Sequence, residues 1–126
     1  GRRASAQRKE YEMKRIAIVA CENSNTVCAG CACLNAFYDR RKSFERYAGE
    51  ELRLMAFMRC SHCVKDGDPM QDAGFVEKLE RFVSESVEIV HIGLCGGRTE
   101  ETACPGMAKM AAAFREKGLT VVWGTH

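Results

Sequence analysis

Cys60 and Cys63 stand two residues apart in FMRCSHCVKD, residues 57–66, with His62 between them. That spacing lets two thiolates reach one tetrahedral zinc at about 2.3 Å, with remote thiolates or imidazoles completing four ligands. It suits an iron–sulfur cluster equally well, and a dithiol that makes and breaks a disulfide is the third possibility. The chain holds eight cysteines, and the compartment decides how such a number is read. A secreted mini-domain would use them as disulfides, whereas a reducing compartment keeps them for metal or redox chemistry. With 46% hydrophobic residues among 126, the chain can bury one core without staples, so the disulfide scaffold falls behind.

Charge points to no partner class. Residues 1–12, GRRASAQRKEYE, contain four basic and two acidic side chains. They account for the whole formal charge of +2, and the body from Met13 onward is balanced. The leading stretch is nearly free of apolar residues and reads as a disordered basic extension or an expression remnant, which leaves 13–126 as one domain. A nucleic-acid surface would need positive charge clustered on the folded part. Neither a membrane-spanning run nor a signal-peptide core is visible, so the expectation is a cytoplasmic protein.

The elements that must position the thiols follow from periodicity. KRIAIVA (14–20), ELRLMAF (51–57), VEIVHIGL (87–94) and LTVVWG (119–124) read as strands. Between them lie three helical stripes: Leu34, Phe37, Phe44 and Tyr47; Phe75, Leu79, Phe82 and Val83; Met107, Met110, Ala111 and Phe114. Pro69 and Pro105 suit first helical turns, although Gly74 obscures the first of these starts. The order β-α-β-α-β-α-β predicts an α/β domain of three layers, flavodoxin-like, with a parallel sheet of four strands in the order 2-1-3-4 and helices on both faces. Its ligand crevice is expected beside strands 1 and 3.

On that frame the thiols gather at one edge. Cys21 ends strand 1, Cys60 and Cys63 follow strand 2, Cys95 ends strand 3, and His126 closes the segment after strand 4. Cys28, Cys31 and Cys33 open the first helix and Cys104 precedes the third, and helix N-termini face the same edge. A single cysteine is most simply a small buried hydrophobe. Burial alone has no reason to send all eight to one rim.

These residues resemble the CGGC-domain family from Met13 to His126. The resemblance rests on IVAC ending in Cys21, CAGCACLNAF with Cys28 and Cys33, and MRCSHC at the signature position. It continues through IGLCGG with Cys95, ACPGMAKM with Cys104 and WGTH with His126. It implies a flavodoxin-like fold, a zinc-type metal role, and a ligand pool of Cys21, Cys28, Cys33, Cys60, Cys63, Cys95, Cys104 and His126, with Cys31 an addition. Where the family has CGGC this chain has CSHC, so His62 replaces a glycine, which removes backbone freedom and adds a potential ligand.

The reading that follows is a metal-binding protein holding zinc or an iron–sulfur cluster. Its rivals are a thiol redox protein or sensor using Cys60 and Cys63, and a flavin- or phosphate-binding module. The redox reading lacks a helix directly after the pair, because VKDGDP intervenes. The flavin reading has only the glycine-poor loop CENSNT and one tryptophan, Trp123. A cysteine phosphatase is set aside, since Cys95 is followed by GGRTEE, whose arginine comes too early and whose carboxylates would repel a phosphoryl group. Glu22 reads as an exposed loop carboxylate. His91, in mid-strand, reads as a hydrogen-bonded structural residue.

Overall fold

The computed structural model describes residues 14–21, 29–59, 68–93, 95 and 97–124. The stretch 1–12, Glu22, Cys28, Cys60, His62, Cys63 and His126 lie outside the described residues. Strand β1 (Lys14–Ala20) is buried without interruption from Ile16 to Ala20, as a strand covered on both faces must be. After it come α1 (Cys31–Asp39), β2 (Leu52–Arg59), α2 (Ala73–Ser84), β3 (Ile89–Ile92), α3 (Pro105–Glu116) and β4 (Thr120–Val122). The strands form one parallel sheet in the order β2-β1-β3-β4, the flavodoxin-like arrangement expected from the alternating pattern. Among the described residues no helix is long and apolar enough to cross a membrane.

Alternation along the strands builds two cores. Ile16 and Ile18 of β1 face Ala36 and Phe37 of α1, together with Phe44 and Tyr47. Ala17 and Val19 face the other way, joining Phe75, Leu79 and Phe82 of α2 and Met107, Met110 and Phe114 of α3. Strand β2 keeps this two-sided pattern only because its register against β1 slips between Ile16 and Ala17. Leu54 pairs with Ile16 and Ala56 with Ala17, so Met55 is the extra residue of a bulge and Phe57 returns to the α1 side.

The first helical stripe is not one helix. α1 stops at Asp39, because Arg40 takes a left-handed conformation (φ 54°) and its N–H bonds the Ala36 carbonyl. The Arg40 guanidinium also donates to the carbonyls of Phe37 and Glu50. Phe44 and Tyr47 then follow on a separate 3-10 segment, Lys42–Tyr47. The second stripe ends one residue short, since Val83 is exposed. The doubtful start near Pro69 resolves into two successive aspartate caps. Asp68 accepts from the Met70 N–H ahead of a short 3-10 turn, and Asp72 accepts from the Gly74 N–H ahead of α2. Gly74 is harmless there, in a first turn whose amides have no partner within the helix.

Candidate metal centre

The chain passes from β1 outward to β2 and then back across to β3, so the crevice between the C-terminal ends of β1 and β3 is the topological switch point. Val19 pairs with Ile92, and the Gly93 N–H extends the ladder by donating to the Val19 carbonyl at 2.9 Å. Two residues further on, Cys95 comes level with Cys21. The Cys21 amide N–H donates to Cys95 Sγ at 3.2 Å, so main-chain register fixes one acceptor direction of that sulfur.

A third cysteine reaches the same place from the helix layer. Cys33, in the first turn of α1, is only 2% exposed and packs with the α1-side core. A Cβ built on Gly93 would lie 3.5 Å from both Cys33 Sγ and Cys95 Sγ, and 3.6 Å from the Val19 carbonyl oxygen. The two sulfurs therefore both border the open side of Gly93 and lie within twice that distance of each other. Gly93 is the site residue that motif reasoning missed. Its only sequence signal is the glycine two places before Cys95.

The start of α1 is itself anchored. Gly30 adopts φ 83° against the Phe57 ring, where a Cβ would lie 3.0 Å from Phe57 Cζ. Phe57 is near the end of β2, and Lys78 of α2 donates to the carbonyl of Arg59, the last β2 residue, at 3.1 Å. Gly30, just before Cys31, is thereby held against β2. On the opposite flank, the Gly124 N–H donates to the Gly97 carbonyl at 3.2 Å, tying the exit of β4 to the loop after β3.

The remaining described cysteines divide. Cys31 opens α1 and is exposed. Cys104 immediately precedes Pro105 at the start of α3, as expected, but it is half-buried against the α2 and α3 core, on the face of the sheet opposite Cys33. Among the described residues no three His, Cys, Asp or Glu side chains form a metal-holding group. Cys33 and Cys95 are soft donors of the kind that zinc and iron–sulfur centres prefer, and both border the same glycine. Trp123 Nε1, just after β4, is a buried donor with no acceptor among the described residues.

His91 takes no part in this centre. It is fully buried, with Ser43 Oγ 3.1 Å from Nδ1, Tyr47 Oη 2.8 Å from Nε2, and the Phe44 ring stacked at 4.2 Å. Burial, helped by the positive charge of Arg46, pushes its pKa down to about 3. Burial likewise raises that of Tyr47, so the hydroxyl stays protonated. Both ring nitrogens are engaged by hydroxyls, which serve either tautomer.

The family model described as the CGGC domain matches residues 15–126. The chain belongs to the CGGC-domain family. This is a cysteine-rich family to which metal binding is attributed, and the match runs through every strand and helix described above. No curated protein and no solved structure gives a significant match. Within this CGGC domain, Cys21, Cys33 and Cys95 converge at the β1/β3 switch point.

Proposed function

We propose that this CGGC domain binds a thiophilic metal, zinc or an iron–sulfur cluster, at the C-terminal edge of its sheet, with Cys33 and Cys95 as its anchoring pair. The observation that carries the reading is the position of both sulfurs 3.5 Å from the Cβ site of Gly93. A buried helix-borne cysteine and an exposed loop cysteine share one gap that any larger residue would fill. Cys21, Cys28, Cys60, Cys63, Cys104 and His126 are the proposed pool for the remaining ligands. Cys104 ranks last of these, because it packs on the other face of the sheet. Zinc in such a site would contribute folding energy, whereas an iron–sulfur cluster would supply one-electron chemistry.

The test is purification without oxygen, followed by metal analysis and a visible spectrum. The expected result is a stoichiometric metal: a colourless zinc protein, or a brown one with charge-transfer bands. A chain that carries no zinc or iron, and takes up neither when supplied in reduced form, overturns the proposal.

A further inference from the structure

We infer that Cys33 and Cys95 of the metal-free chain form a peroxide-oxidisable dithiol, in which Cys95 is attacked first and Cys33 resolves it. This concerns the stripped chain and does not require that a metal be bound at any stage.

Three features assign the roles. Cys95 is an exposed residue, the member of the pair open to solution. The Cys21 N–H holds that sulfur at the crevice. Cys33 is 2% exposed, which shields it from direct attack while leaving its sulfur beside the same gap over Gly93. A disulfide needs the sulfurs to close to about 2.05 Å, and both border the position where a side chain at 93 would begin, 3.5 Å from each. Glycine leaves it open.

The chemistry balances with a hydroperoxide as oxidant. Cys95 sulfur attacks the O–O bond of hydrogen peroxide, an S–O bond forms, and the departing hydroxide leaves as water with the proton of the thiol. Cys33 sulfur then attacks Cys95 Sγ, the S–S bond forms, the S–O bond breaks, and the hydroxide leaves as a second water with the Cys33 proton. Two thiols are oxidised by two electrons, and one peroxide is reduced to two waters.

The test treats reduced, chelator-stripped protein with hydrogen peroxide, blocks the remaining thiols by alkylation, and maps the disulfides by peptide mass spectrometry. A Cys33–Cys95 crosslink is expected. Cys33→Ser should leave Cys95 as a sulfenic acid trapped by dimedone. Gly93→Ala, whose methyl group makes only van der Waals contacts, should still form that sulfenic acid but close the crosslink more slowly. The same treatment in urea should lose the selectivity, which ties it to the fold. Cys95 joined instead to Cys21 or Cys63, or Cys95 unoxidised while other thiols react, overturns the inference. Equally fast closure in Gly93→Ala overturns the role of the gap. Metal content, measured separately on the untreated protein, keeps this result distinct from the success or failure of metal binding.

Discussion

The backbone N–H of Cys21 donates to the sulfur of Cys95 across 74 positions of sequence, at 3.2 Å. The contact joins the ends of β1 and β3, the two strands between which the chain reverses its direction of travel across the sheet. The end of β1 therefore helps to place Cys95. Gly93, whose N–H donates to the Val19 carbonyl, is the step between them.

Gly93→Val should be costly where Gly93→Ala is mild. A methyl group meets both sulfurs at ordinary contact distance, but the added γ-methyls have to displace them. A loss of about 1–3 kcal/mol is expected, typical of overpacking, measured by urea denaturation of the metal-free protein. An unchanged midpoint would show that the space around Gly93 is not closed.

Gly30 and Gly49 form a matched pair for testing the anchor of α1. Both have positive φ, 83° and 79°, but a Cβ on Gly30 would meet Phe57 at 3.0 Å while one on Gly49 meets nothing. Each alanine substitution should cost about 1 kcal/mol for the backbone. Gly30→Ala should cost more, and Phe57→Leu should recover part of the excess. Equal losses at both positions would remove Phe57 from the account.

His91 predicts a pH dependence with a definite sign. Its pKa falls from 6.5 in the unfolded chain to about 3 in the fold, so between those values the unfolded state binds the extra proton. Stability is full above about pH 6.5 and declines as pH falls, by up to ~1.4 kcal/mol per pH unit from this residue. His91→Gln, which keeps a donor and an acceptor but does not titrate, should show a shallower decline between pH 6.5 and 4. Parallel stability profiles for the two proteins would contradict the assignment.

Metal retention should separate the cysteines. Cys33→Ser and Cys95→Ser are expected to lose most bound metal, while Cys31→Ser, altering an exposed residue, should keep it. Metal per chain by elemental analysis checks this directly. Full retention in Cys33→Ser would remove Cys33 from the anchoring pair.

The sheet order was legible because it rests on alternation of apolar runs, and parallel connections leave few topologies open. Leu34, Phe37, Phe44 and Tyr47 misled because both sides of the break at Arg40 face the same core. Periodicity records which face is buried but not that the backbone turned left-handed between two halves. The positions of Cys21 and Cys95 just beyond the ends of β1 and β3 also followed from the strand pattern. The nearness of Cys33 to Cys95 did not, since it depends on the β1–β3 register and on the packing of α1, neither of which a single sequence states. Cys104 shows the limit: its place before α3 was readable, its lying on the other face from Cys33 was not. His91 was read as structural, yet Ser43 and Tyr47 come from a segment 44 to 48 residues away and carry no local signal.

The most direct measurement compares alkylation of Cys95 and Cys31 in protein purified without oxygen, before and after chelation. Both residues are exposed in the fold, so burial does not protect either. Metal binding at the β1/β3 switch point predicts that Cys95 resists alkylation until the chelator is added, while Cys31 reacts at the same rate throughout. Cys95 reacting as fast as Cys31 in the metal-loaded protein would contradict the account.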